Sequence, residues 1–90
     1  MKVYNMTSKN GNKIANQFII EGEGKETFQS YNSVIAVRDY NNIPCTTTLD
    51  INKWDYSVTT SKYRNMFLNE TKKETERKIK EGIYKLADLN

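Results

Sequence analysis

The side chains best suited to chemistry in this sequence lie in the segment 53–65, where aromatic and cationic residues are interleaved. Aromatic rings stack on nucleic-acid bases or anchor protein interfaces, and the cations between them contact phosphates or carboxylates. The candidate binding residues of this segment are Lys53, Trp54, Tyr56, Lys62 and Arg64. Two interpretations stay open: a contact surface for another macromolecule, or core residues at a strand–helix junction.

A second group of cations follows in the segment 71–85. Three of its glutamates each precede a lysine by four residues, a spacing that predicts neutralising ion pairs along a helix. The predicted pairs are Glu74–Lys78, Glu76–Lys80 and Glu81–Lys85. Lys72, Lys73 and Arg77 have no such partner and complete the candidate binding residues. The alternative for this segment is a solvated helix face without a binding role.

Nucleophilic and metal-dependent catalysis lack their usual side chains. The sequence has no histidine and one cysteine, so a Ser-His-Asp or Cys-His arrangement cannot form within one chain. A zinc site needs several cysteine or histidine ligands. Cys45 follows Pro44 in a strand-like context, and we expect a partly buried, unreactive thiol. These residues predict a protein that is not an enzyme and that uses no cofactor or metal.

Length and charge limit the classes of partner. Ninety residues predict a single domain, 1–90. The net charge is +3, and residues 51–90 supply all of it, with nine bases and six acids. This asymmetry favours an acidic partner or a polyanion. No segment approaches the roughly 20 apolar residues of a membrane helix, and no signal peptide is evident, so we expect a cytoplasmic protein without a membrane partner.

The first half of the chain has the patterns of strands, which we expect roughly between residues 2 and 51. Asn10-Gly11 and the glycines at 22 and 24 predict turns. The apolar run 34–37 predicts a strand that is covered on both faces. Short spacing between strands favours an antiparallel meander of four to five strands.

The last third has helical periodicity, which predicts helices at roughly 61–69 and 72–88. Thr71 and Glu74 have the spacing of a capping box at the start of the second helix. Gly82 lies inside that helix, where it is expected to cause a bend or fraying. The predicted fold is α+β: an antiparallel sheet with two C-terminal helices packed on one face.

Four blocks of the sequence carry a family resemblance that covers roughly residues 13–84. They are NQFII at 16–20, FQSYNSVIA at 28–36, WDYSVTTSKYRNMFL at 54–68 and TKKETERKIKEGIY at 71–84. Together they resemble a family of small uncharacterised proteins from phages, plasmids and prophages of low-GC Gram-positive bacteria. The resemblance assigns no role to any single residue.

The resemblance implies an accessory protein that acts in the host cytoplasm by stoichiometric binding. Anti-CRISPR inhibitors of Cas9-type nucleases are the leading hypothesis for such a protein. Mimicry of DNA is not expected as its mechanism, because DNA mimics are strongly acidic whereas this chain is mildly basic. The alternative is a nucleic-acid-binding regulatory module that uses the segment 53–64. A third hypothesis is a homodimer formed by pairing of sheet edges, without any other ligand.

Overall fold

A single six-stranded sheet and two helices make up the computed structural model, which describes residues 1–90. The elements in chain order are β1 (Lys2–Thr7), β2 (Lys13–Gly22), β3 (Lys25–Ser30), β4 (Ser33–Asp39), β5 (Thr46–Asp50), α1 (Val58–Leu68), α2 (Lys72–Lys80) and β6 (Tyr84–Ala87). Neither helix is long and apolar enough to cross a membrane.

The strands lie side by side in sequence order, and β1 to β5 form the predicted antiparallel meander. Strand β6 instead pairs in parallel with β5, and the two helices form the long crossover that a parallel pair requires. The α+β class with a mainly antiparallel sheet is therefore confirmed. The predicted number of four to five strands is wrong, because β6 falls in a segment that was assigned to the second helix.

The hairpin between β2 and β3 has the tight turn that its glycines predict. Glu23 and Gly24 occupy the two turn positions with φ values of 55° and 75°, the left-handed region that a primed hairpin turn requires. Asn41 closes over this turn, donating from Nδ2 to the Glu23 carbonyl at 2.9 Å. The turn sets the register of the two strands around it.

One face of the sheet forms the hydrophobic core. The strand register aligns Ile19, Phe28, Ala36 and Leu49 across four neighbouring strands, and all four are buried. Phe67 of α1 stacks on Phe28, with 5.8 Å between the ring centroids. Burying a large apolar side chain contributes roughly 1.5–3 kcal/mol, so this row is the main source of stability.

A β-bulge explains the apolar run in β4. Phe28 pairs with Ala36 and Gln29 with Val34, so the intervening Ile35 has no partner in the register. Such a bulge brings two successive side chains towards one face, and Ile35 and Ala36 are both fully buried. The run was expected to be covered on both faces. The run is apolar because the bulge turns two of its residues towards the core. Val34 and Val37 on the opposite face are only partly buried.

Helix α1 begins earlier than the predicted 61–69. Ser57 has extended backbone angles, and its hydroxyl accepts a hydrogen bond from the Thr60 amide at 3.1 Å, so it is the N-cap. The first helical residue is therefore Val58. Asn69 ends the helix in the left-handed conformation, with φ of 56°.

Helix α2 has the predicted capping box, since Thr71 and Glu74 exchange side-chain and backbone hydrogen bonds. Its predicted extent of 72–88 is wrong. Gly82 has φ of 77°, the Ile83 amide donates to the Lys78 carbonyl, and the Gly82 amide donates to the Ile79 carbonyl. This is a Schellman motif, which stops the helix after Lys80 and frees the following residues to form β6.

Candidate functional site

The loop between β5 and α1 is held at its start by a buried carboxylate. Asp50 is 1% exposed, and its side chain accepts from the Asn52 amide at 3.1 Å and from the Leu89 amide at 2.7 Å. Its backbone carbonyl accepts from the Trp54 amide at 3.0 Å. These bonds join the loop to the C-terminal segment and fix the direction in which the loop leaves the sheet.

Arg64 lies inside the molecule, and Trp54 is partly buried beside it. Trp54 packs against the hydrophobic core, and the Arg64 guanidinium lies 5.2 Å from the centre of its ring. Arg64 is fully buried, and it donates to the Trp54 carbonyl, to Ser61 Oγ at 3.1 Å and to Asn65 Oδ1 at 3.0 Å. The sequence left open whether Arg64 belongs to a contact surface or to the core, and in the structure its cation is buried and satisfies the loop carbonyl from within.

Asp55 connects the loop to both helices. It accepts from Ser61 Oγ of α1 at 3.1 Å, and its Oδ2 lies 2.8 Å from Lys72 Nζ of α2. Arg64 Nη1 lies 3.6 Å from Asp55 Oδ1. Burial alone raises the pKa of Asp55, but the hydrogen bonds from Lys72 and Ser61 outweigh it and hold the pKa below its usual value. The carboxylate is therefore charged at neutral pH and orients the start of each helix.

These contacts leave an open groove of about 620 Å³ in the surface. We call it the loop–helix groove, and it is lined by Asp55, Tyr56, Ser57, Val58, Ser61, Lys62, Asn65 and Lys72. Tyr56 is 48% exposed and Val58 is 90% exposed. The groove therefore presents an aromatic and an aliphatic side chain beside two lysines.

The other predicted cations of the loop segment lie close to aromatic rings. Lys53 Nζ is 5.5 Å from the centre of the Tyr56 ring and donates to Ser33 Oγ at 2.9 Å. Lys62 Nζ is 5.4 Å from the centre of the Tyr63 ring. Contacts at such distances are within the range of a cation–π interaction, and they hold both lysine side chains near the groove.

The candidate cations of α2 do not share one site. Lys72 lies in the loop–helix groove, but Lys73 and Arg77 lie on another part of the helix surface. Arg77 pairs with Glu81 at 2.6 Å, although the sequence pattern left it without a partner. The structure thus brings together Tyr56, Lys62 and Lys72 of the predicted residues, with Lys53 beside them, and separates the remaining ones.

Sequence reasoning missed five groove residues: Asp55, Ser57, Val58, Ser61 and Asn65. The signal that could have identified Val58 is Ser57, an N-cap residue type directly before it. Starting the helix there makes Val58 its first residue, a position that projects from the protein surface. Asp55, Ser61 and Asn65 gave no such signal, because their roles depend on the packing of the loop against both helices.

A second polar cluster joins the helices to β6. The Glu70 side chain is only 3% exposed, and it accepts from Thr75 Oγ1 at 2.6 Å, Lys78 Nζ at 2.7 Å and the Tyr84 hydroxyl at 2.6 Å. Burial raises the pKa of Glu70, but these three donors outweigh it and lower the pKa overall. Burial and the bond to Glu70 raise the pKa of Tyr84 to about 12. All four polar groups are satisfied, so the cluster serves to dock β6 beneath α2.

The remaining chemical candidate, Cys45, is exposed, so the expectation of a partly buried thiol is wrong. It lies in the loop between β4 and β5, just before the first residue of β5. No group of three or more histidine, cysteine, aspartate or glutamate side chains comes together in an arrangement that could hold a metal ion.

Comparisons with known proteins give a family but no characterised relative. Neither the curated proteins nor the solved structures contain a match to this chain. Residues 1–82 match the model of a family of unknown function (DUF8033), a span that includes the whole loop–helix groove and both helices. The chain belongs to this family of unknown function.

Proposed function

We propose that the protein acts by stoichiometric binding of another protein through the loop–helix groove. The observation that carries the proposal is the exposure of Tyr56 (48%) and Val58 (90%) on a loop and helix start that buried hydrogen bonds hold in place. Aromatic side chains on a preorganised surface are the usual anchors of protein interfaces, because little conformational freedom is lost when they bind.

The target we propose is a host nuclease of the Cas9 type, with the protein acting as an inhibitor from a phage or mobile element. The support for this target is the sequence resemblance described above together with the net charge of +3. A protein of this charge does not mimic DNA, and it would instead hold a mobile or acidic surface of the nuclease. Lys62, which lines the groove and has no carboxylate partner, suits an acidic partner surface.

Nucleic-acid binding is the second candidate, and the geometry favours it less. Arg64 is buried, Trp54 is partly buried against the core, and Lys72 is paired with Asp55 at 2.8 Å. This leaves Lys53 and Lys62 as the cations of the segment 53–64 that are free of a carboxylate partner. Binding carried by about two phosphate contacts has a weak salt dependence, with a slope of log affinity against log salt near −2.

The test combines binding with cleavage. The purified protein is mixed with several Cas9-type effectors loaded with guide RNA, complex formation is measured by co-purification, and target DNA cleavage is followed over time. We expect a one-to-one complex and inhibited cleavage by at least one effector. Tyr56→Ala should weaken binding about tenfold or more, since truncating an interface anchor costs 1.4 kcal/mol or more.

The matched control is Lys80→Ala, because Lys80 is exposed on α2 and does not line the loop–helix groove. It should bind and inhibit like the unmodified protein. Uninhibited cleavage and no complex with any effector would contradict the nuclease target. Binding of DNA or RNA at micromolar affinity with a salt slope steeper than about −4 would favour the nucleic-acid alternative instead.

A further inference from the structure

The sheet face opposite the core is not packed against either helix, and its side chains range from partly buried in the central strands to exposed at the edges. The register forms one continuous row from edge to edge, Val3–Ile20–Thr27–Val37–Thr48–Lys85. A second, shorter row runs beside it through Asn5, Phe18, Gln29 and Val34. None of these side chains is buried, and none belongs to the hydrophobic core or to the residues packed against it. We call this surface the open face.

The composition of the open face differs from that of an ordinary solvated sheet. An antiparallel sheet with one solvated face normally alternates apolar residues inward with polar residues outward. Here Phe18 and Ile20 in β2 and Val34 and Val37 in β4 all point away from the core. The two rows carry no charge except Lys85 of the edge strand β6, and in the next row on this face Lys25 is paired in register with Asp39.

The surface area of the chain is consistent with a face that awaits a partner. Only 15 of the 90 residues are buried, and the accessible surface is 5852 Å². A monomer of 10.5 kDa is expected to expose about 5,400 Å². The excess of about 400 Å² is what a single-layer sheet with an uncovered apolar face produces.

We propose that the open face packs against the same face of a second copy of this chain, forming a two-layer sheet sandwich. Symmetry selects this occupant, because a two-fold interface places like side chains opposite each other and any charge in its centre would repel its own copy. A nucleic acid would need cations on this face, and Lys85 is the only one in the two rows.

The dimensions of the sheet set the expected strength of the dimer. Six strands about 4.8 Å apart and about five or six residues long give a face of roughly 500 Å². Two such faces bury about 1,000 Å² in total, which is at the lower limit for a specific interface. We therefore expect a weak, reversible dimer with a dissociation constant on the order of 1–100 μM, stacked with the sheets about 10 Å apart.

Sedimentation equilibrium and multi-angle light scattering between about 1 μM and 1 mM test this proposal, since the monomer–dimer transition at the expected affinity falls in that range. Val37→Lys places a charge at the centre of the row and should shift the transition at least tenfold towards monomer. The matched control is Val58→Lys, which adds the same charge at an exposed position of α1 and should leave the transition unchanged. Circular dichroism verifies that both variants are folded.

Cross-linking gives a second measurement that does not depend on tolerance of a lysine. In a Cys45→Ser background, Thr27→Cys and Val37→Cys each place one thiol next to the middle of the row, and oxidation of either should yield a disulfide-linked dimer. A monomer at 1 mM, or a dimer that Val37→Lys leaves unchanged, would overturn the proposal. Val37→Lys should still inhibit the nuclease, so failure of the dimer and failure of the proposed function are distinguishable.

Discussion

Replacing Arg64 by alanine tests the claim that this cation is part of the structure and not of the binding surface. Arg64 is fully buried, and its guanidinium bonds the Trp54 carbonyl, Ser61 and Asn65 while facing Asp55. Burial lowers the pKa of Arg64 while the neighbouring Asp55 opposes this shift, and the group remains charged at neutral pH. The variant Arg64→Ala removes all these interactions together.

The expected loss of stability follows from the groups left behind. A hydrogen bond from a charged donor contributes about 1.5–3 kcal/mol, and the Trp54 carbonyl is left without its side-chain donor. Asp55 is partly exposed and keeps Lys72 at 2.8 Å, so the rest of the loss comes from the buried volume that the truncation empties, about 2–5 kcal/mol for a large side chain. We expect Arg64→Ala to reduce the free energy of unfolding by about 3–5 kcal/mol. A domain of this size has only about 5–13 kcal/mol in total.

Urea unfolding followed by the fluorescence of Trp54 measures this change directly, because the chain has one tryptophan and it lies beside the mutated residue. At a slope of about 1.5 kcal/mol per M, the midpoint should fall by about 2–3 M. Lys62→Ala is the control, since Lys62 is exposed on the same helix and should change the free energy by less than about 0.5 kcal/mol. An Arg64→Ala midpoint within 0.5 M of the unmodified protein would refute the structural role assigned here.

Three further predictions concern the helices and the cluster around Glu70. The pKa of Glu70 is held below its usual value of 4.5. Its contribution to stability is therefore complete above that pH and is lost as the pH falls through the lower pKa of the folded state. In thermal unfolding, Glu70→Gln should flatten the acid side of the stability curve below about pH 5. Tyr84, with a pKa raised to about 12, should ionise later than an ordinary tyrosine in an ultraviolet pH titration. Tyr84→Phe should reduce that late component by one tyrosine, since the bond to Glu21 also raises the pKa of Tyr4 to about 12. Gly82→Ala should reduce the free energy of unfolding by about 1 kcal/mol through backbone strain alone, since φ is 77° and no atom lies within 4 Å of an added Cβ. A variant as stable as the parent would argue against the Schellman motif as the end of the helix.

Local patterns predicted the parts of the fold that depend on local physics. The turn at Gly24 and the capping box at Thr71 each satisfy backbone groups within a few residues, and both are present. Strand β6 was missed because Ile79, Ile83 and Leu86 have helical spacing, and only the left-handed backbone at Gly82 breaks it. A glycine before an apolar residue is compatible with a continued helix and with a new strand. Which of the two forms depends on pairing with the free edge of β5, which is a long-range feature.

The candidate site was predicted at the right segment but with the wrong division of its side chains. Composition alone cannot distinguish a tryptophan or arginine that faces inward from one that faces outward, because both residues are common in cores and at interfaces. The register that separates them depends on where α1 begins. Arg64 shares the buried stripe of α1 with Thr60, Phe67 and Leu68, so it turns towards Trp54 and the core, while Tyr56 and Lys62 line the groove.

The same short segment therefore supplies both the interior and the surface of the candidate site. Arg64 and Asp55 order the loop before any partner arrives, so the exposed Tyr56 and Val58 need lose little freedom on binding. Variants of the ordering residues and of the exposed residues should therefore have different effects. Tyr56→Ala should weaken binding without lowering the urea midpoint, whereas the main effect of Arg64→Lys should be a lower midpoint. Arg64→Lys should weaken binding only to the extent that the loop unfolds. If Tyr56→Ala proved as destabilising as Arg64→Ala, Tyr56 would belong to the core and the groove would have no anchor.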